Sequence, residues 1–281
     1  MLYLFIAAAL ALAYAFVVRP VRRAAKRAAL ASSPFPTAWR EILDLRLPIY
    51  ALLPEDLQRQ LQTNIQIFVG EKHFIGCGGQ EITDEIRVTI ASQACLLVLN
   101  RKTSLYAPLR TILVYPSAYV ATVPSSNGSG QGHASVRLGE SWTRGSVVLS
   151  WDHSRSGASN FHDGRNVVIH EFSHQLDQED GNPDGAPILE SRSCYKTWAQ
   201  VLGSEFHLLR DGLKKRKFKP LLSEYGATNP AEFFAVASET FFEKPALLLR
   251  KHPKLYGALQ SYYKVDPATW REDHHANVRR E

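Results

Sequence analysis

A chain of 281 residues with 45% hydrophobic and 21% charged residues has room for one large domain and a globular composition, which excludes a wholly disordered or collagen-like protein. Its three cysteines, Cys77, Cys95 and Cys194, are odd in number and form no C-x-x-C pair, which excludes a disulfide framework and a four-cysteine zinc ribbon. The net charge of +6 is local: Arg19, Arg22, Arg23, Lys26 and Arg27 are five of the 33 cations, no acid precedes residue 28, and the remainder carries 28 Lys and Arg against 27 Asp and Glu, so the body offers no basic surface for direct nucleic-acid binding.

Leu2 to Val18 (LYLFIAAALALAYAFVV) is a run of 17 uncharged, mostly apolar residues. As a helix it spans about 26 Å, near the lower limit for crossing a bilayer. A secretory signal would carry cations ahead of its apolar stretch; here the cations all follow, a bias that predicts a single-pass anchor in the inner (cytoplasmic) membrane with the rest of the chain in the cytoplasm. A buried core helix and a cleaved signal are the alternatives. Residues 19–36, basic and then Ala- and Ser-rich, read as a juxtamembrane linker.

Apolar residues near a 3.6 period predict an amphipathic helix over Pro54 to Phe74. The glycines of GCGGQ (76–80) mark a turn, and without a following G-K-[ST] they make no phosphate loop. Thr83 to Asn100 reads as a buried helix capped near Thr83. Ile112 to Tyr115, Tyr119 to Val123 and Ser146 to Trp151 read as strands, and Pro124 to His133 as a flexible loop. Asp152 to Gly164 reads as an irregular connection. Helices dominate the remainder, so a mixed first half precedes a helical second half, which argues α+β rather than regular βαβ alternation.

The segment NVVIHEFSHQLD (166–177) carries the chemistry. His170 and His174, four residues apart on a helix, present two imidazoles on one face to a single Zn²⁺. Glu171 projects beside them, placed to take a proton from a zinc-bound water. A third ligand is required, and no histidine follows within ten residues of His174, against the metzincin spacing. The later helix NPAEFFAVASETFF (229–242) offers Glu232 and Glu239, two turns apart on one side. Asn229 and Pro230 also fit Glu232 into a capping box, so the residues alone leave Glu232 and Glu239 even. Asp177 reads as an acceptor orienting an imidazole or as a solvated helix-end acid. Ser146 to Trp151 reads as a docking edge for an extended peptide or as a plain core strand.

The segments GCGGQEITDEIRVTIASQACLLVLN, VVLSW, HEFSHQLDQEDG and NPAEFFAVASETFF together resemble the Mlc titration factor A family of zinc peptidases, over about residues 40–270. That family is similar to the catalytic domain of anthrax lethal factor, and the resemblance implies a zincin-like (gluzincin-type) fold for residues 37–272, ahead of a tail over 273–281. It implies Glu232 as third zinc ligand, which leaves Glu239 as an outer carboxylate supporting the site. It also implies Tyr225 as a donor to the developing oxyanion, aminopeptidase-like hydrolysis of short peptides, and binding of a Mlc-like repressor. The rival reading is a regulatory protein that sequesters such a repressor, with structural zinc.

Other signals carry less. The run Lys214 to Lys219 reads as a solvated face, His153, His162, His274 and His275 match no metal template, and no G-x-S-x-G points to a serine hydrolase.

Overall fold

The computed structural model describes Met1, Tyr3 and residues 14–101, 105–123, 133–137, 139–142, 145–215 and 220–270. Among the described residues no helix is long and apolar enough to cross a membrane. Leu2 and residues 4–13 of the expected span, 124–132 of the expected loop, 216–219 of the basic run and the tail over 273–281, with His274 and His275, lie outside them. The protein is mostly helical with a mixed sheet.

The expected linker is a helix, α1 (Arg19–Ser32). Its Ala, Arg, Lys and Leu are strong helix formers, and Pro20 sits in the first turn where no amide partner is needed. There follow α2 (Thr37–Arg46), α3 (Glu55–Glu71), β1 (His73–Gly76) and α4 (Asp84–Leu96). The strand β1 corrects the reading of a helix to Phe74: His73 already pairs with Thr111 of β2 (Thr111–Tyr115). Thr83 caps α4, its Oγ1 accepting from the Ile86 amide at 3.3 Å. Ten of the 13 residues of α4 are buried, because α2, α3 and two later helices, α5 (Trp151–Ser159) and α6 (Val167–Asp177), surround it.

One four-stranded sheet has the order β1-β2-β6-β5, where β5 is Gly139–Trp142 and β6 is Ser146–Ser150. β1, β2 and β6 run parallel, with α4 in the crossover between the first two, and β5 runs antiparallel to β6. β3 (Tyr119–Val123) and β4 (His133–Arg137) form a separate antiparallel pair. The strand expected as a docking edge is therefore interior: β6 is paired on both sides, and β5, beside α6, is the edge.

The stretch expected as irregular holds α5. Its sequence, WDHSRSGAS, is poor in helix formers, and packing supplies what propensity lacks. Its buried face is Ser154, Gly157 and Ala158, and Gln93 of α4 donates to the Ser154 carbonyl at 3.1 Å. A Cβ at Gly157 would stand 3.1 Å from the Asn166 side chain, which donates to the Gly157 carbonyl.

The core under α6 is aromatic. The Phe172 ring lies 4.9 Å from Tyr106 and 5.7 Å from Phe68, centroid to centroid, and Tyr106 Oη donates to the Ala94 carbonyl at 2.7 Å. Phe172 is fully buried. Phe172→Ala is expected to cost about 3–5 kcal/mol, read by chemical denaturation; a loss under about 1 kcal/mol would mean that this cluster does not hold the helix.

Candidate metal centre

Asn166 starts α6: its Oδ1 accepts from the Ile169 amide at 3.0 Å, a standard N-cap bond. The next long helix in the chain is α7 (Arg192–Lys214), and α6 packs on the one after it, α8 (Pro230–Glu243). In α8 the Asn229 side chain caps the Glu232 amide at 2.9 Å with Pro230 in the first turn. The expected cap is present, but the Glu232 carboxylate is turned onto the two imidazoles. Its Oε2 lies 3.0 Å from His170 Nε2 and 3.3 Å from His174 Nε2, and the two Nε2 atoms are 3.3 Å apart. His170, His174 and Glu232 form the cluster able to hold a metal ion among the described residues.

Glu239, two turns on, reaches the opposite nitrogen. Its Oε1 is 2.7 Å from His170 Nδ1, and its Oε2 accepts from the Asn166 amide at 2.6 Å. A carboxylate on Nδ1 places the proton there and leaves the Nε2 lone pair for the Glu232 side. Burial disfavours a charged His170, yet the bonds from Glu232 and Glu239 outweigh it and hold the ring well above the usual histidine range. Burial likewise opposes the Glu232 charge, and the two imidazoles outweigh it, holding that carboxyl well below the usual range. Negative charge thus converges on a point where two nitrogens and one oxygen meet. That donor chemistry suits a divalent cation of borderline softness.

Glu171 is 6% exposed and its charge adds to the pull on His170. Tyr225, in a single 3-10 turn (Glu224–Ala227), is 54% exposed. Its ring centroid is 5.9 Å from that of His170, and its hydroxyl donates to Glu232 Oε1 at 3.4 Å.

Asp177 is buried, and no hydrogen bond joins it to an imidazole among the described residues. Its Oδ2 accepts from the Gly185 amide at 2.9 Å, and burial pushes the carboxyl up to about 6. Gly185 has φ +81°, its carbonyl accepts from Trp198 Nε1 at 2.9 Å, and a Cβ there would stand 2.4 Å from the Pro230 carbonyl. Gly185→Ala is expected to destabilise by about 1–3 kcal/mol, because backbone rather than a flexible side chain must give way; an unchanged melting temperature would contradict this.

Two contributors escape the sequence reading. Glu243 is fully buried on α8 and accepts from the Gly164 amide at 2.6 Å and the Arg165 amide at 3.0 Å. Burial chiefly, with the Asp163 charge, pushes it up to about 8. The signal was available: Glu232, Glu239 and Glu243 are spaced by seven and four, one face of one helix. Asn166 is the other, since a cap is visible from sequence but not its bond to Glu239. Glu239→Gln must set an amide donor against either the Asn166 N–H or the protonated His170 Nδ1. It is expected to weaken metal binding about 10–100-fold, measured by competition with a chromophoric chelator; unchanged affinity would remove Glu239 from the site.

The family pattern described as glucose-regulated metallo-peptidase M90 matches residues 21–264. An uncharacterized protein of Synechocystis sp. is 43% identical over 237 residues, covering 83% of this chain and 86% of its own. The Mlc titration factor A proteins of Yersinia pestis and Yersinia pseudotuberculosis are each 30% identical over 233 residues, covering 82% of this chain and 84% of theirs. With a metal-competent His-His-Glu cluster inside the matched region, the chain belongs to the glucose-regulated metallo-peptidase M90 family.

Proposed function

We propose that this protein is a zinc-dependent peptidase with a zincin-like catalytic domain, in which His170, His174 and Glu232 hold the metal. The observation that carries the reading is the triangle of ligand atoms, with edges of 3.0, 3.3 and 3.3 Å. Tetrahedral zinc at its usual bond lengths separates its ligand atoms by about 3.3–3.4 Å, so these side chains fit the ion with little movement. A zinc ion there supplies Lewis acidity and lowers the pKa of water towards about 7.

The chain's own residues do the rest. Glu171 takes the proton of the attacking water and passes it to the leaving amine. Glu239 holds His170 in the tautomer that ligates through Nε2. The Tyr225 phenol, resting on Glu232 and open to solvent, swings a short way to donate to the developing oxyanion. An extended peptide adds to the outer edge of β5, next to α6, through main-chain hydrogen bonds. The family resemblance supports aminopeptidase-like action on short peptides. The apolar run to Val18 and the cations after it support a single-pass inner-membrane anchor with the domain in the cytoplasm.

The name of the Yersinia relatives favours a second reading, in which the chain sequesters a Mlc-like repressor and its zinc is structural. Purified full-length protein in detergent tests the first: it should contain one zinc per chain, hydrolyse short peptides, lose that activity to 1,10-phenanthroline and regain it with stoichiometric zinc. Hydrolysis indifferent to chelation, or protein isolated without metal, would sink the proposal.

A further inference from the structure

Helix α1 is clamped onto the domain by charge. Arg27 meets Glu71 through two bonds of 2.6 and 2.8 Å, and Arg23 adds two more of 2.9 and 3.3 Å. Burial opposes the Glu71 charge, but the bonds from Arg27 and Arg23 outweigh it and hold the carboxyl down at about 2. Lys26 Nζ donates to the Gly70 carbonyl at 2.5 Å.

Behind this clamp lies a cleft of about 780 Å³. Arg19, Arg22 and Lys26 line it from α1, and Lys72, His73 and Arg110 line it from the domain. Glu71 is the one carboxylate in its walls among the described residues, and it is already engaged by two arginines. Arg19, Arg22 and Arg110 are exposed and have no carboxylate within salt-bridge reach among the described residues. Lys72 Nζ is held by the carbonyls of Tyr106 at 2.6 Å and Leu109 at 3.0 Å. Burial, with the Arg23, Arg110 and Arg27 charges working against that of Glu71, pushes it down to about 8. Two segments far apart in sequence thus bring unmatched positive charge to one concavity, a repulsive arrangement that an anion would relieve. Guanidinium forks from opposite walls suit the tetrahedral oxygens of a phosphate group.

We propose that this cleft is a binding site for a phosphate mono- or diester, with the glycerophosphate headgroup of an anionic lipid as its source. The phosphate site stands independently of the peptidase reading; the lipid source rests on the anchor proposed above. A polybasic stripe beside a membrane attracts anionic lipid through its own cations alone. Here Arg110, just ahead of β2 and far from α1 in sequence, shares the load, and that separates a site from a stripe.

Native mass spectrometry of the full-length protein in detergent supplies the test, titrated with phosphatidylglycerol, phosphatidylcholine and free glycerol phosphate. Phosphatidylglycerol should bind in preference to phosphatidylcholine. Arg110→Gln should weaken it about fivefold, the worth of one cation near an anionic surface, and Arg22→Gln, on the other wall, by a similar factor. If glycerol phosphate binds as tightly as the lipid, with the same dependence on Arg110, the site stands and its source is a soluble phosphate. Zinc content and melting temperature should stay unchanged in both variants, since neither side chain is buried. Two results overturn the proposal: no preference for either phosphate anion over phosphatidylcholine, or a preference that Arg110→Gln leaves intact, whatever Arg22→Gln does.

Discussion

Replacing Glu171 by Gln is expected to lower kcat/KM by about 10²–10⁴-fold, the usual worth of a general acid–base group, while leaving one zinc per chain. The amide has nearly the carboxylate's shape but cannot take a proton from water. Glu171 is not among the three clustered ligands, so metal content has no reason to change. The three ligand side chains are half-buried and Glu171 itself is 6% exposed, so bulk water does not readily replace it as a base. Peptide hydrolysis and metal analysis on the same preparation decide the matter. A fall in both would mean that the substitution damages the centre; a fall in neither would leave sequestration of a partner as the better account of the fold.

Replacing Glu232 by Ala is expected to abolish stoichiometric zinc and, with it, activity. Two imidazoles remain, and structural and catalytic zinc sites both rely on three or more protein ligands. The loss should exceed the 10–100-fold typical of an outer partner, so the same titration on Glu239→Ala gives the comparison. If Glu239→Ala empties the site and Glu232→Ala does not, the ligand has been assigned to the wrong turn of α8. Glu232→Ala also removes the carboxylate that faces His170 Nε2, which lowers the ring's affinity for a proton as well as for a metal.

The local part of this site was legible from four-residue spacing: His170 and His174 share a face because any helix would make them do so. The choice between Glu232 and Glu239 was not. Spacing by seven places both on one side of α8 but says nothing of their height against α6, and height is what sends one to the Nε2 atoms and the other to Nδ1. Asp177 had the right spacing from His174 to meet it, but the chain turns after it and brings the Gly185 amide to that carboxylate. The fold shows the same division. α3 and α4 announced themselves through periodicity and a cap. β1 is four residues that continue the apolar rhythm of α3, and β5 is GESW, without a hydrophobic run. Both exist through pairing with strands remote in sequence, information that no window of the chain contains. α5 is the converse case, a helix recruited by the space left for small residues against α4 and Asn166.

The paired carboxylates of α8 have a kinetic and thermodynamic meaning for metal uptake. Glu239 and Glu243 grip the amides of residues 164–166 through protein atoms alone. The approach to α6 is therefore ordered during folding rather than by the ion. Capture of a metal ion there carries little additional loss of chain entropy, so the apoprotein should stay folded and reload quickly. Those three amides should exchange with deuterium as slowly after chelation as before it.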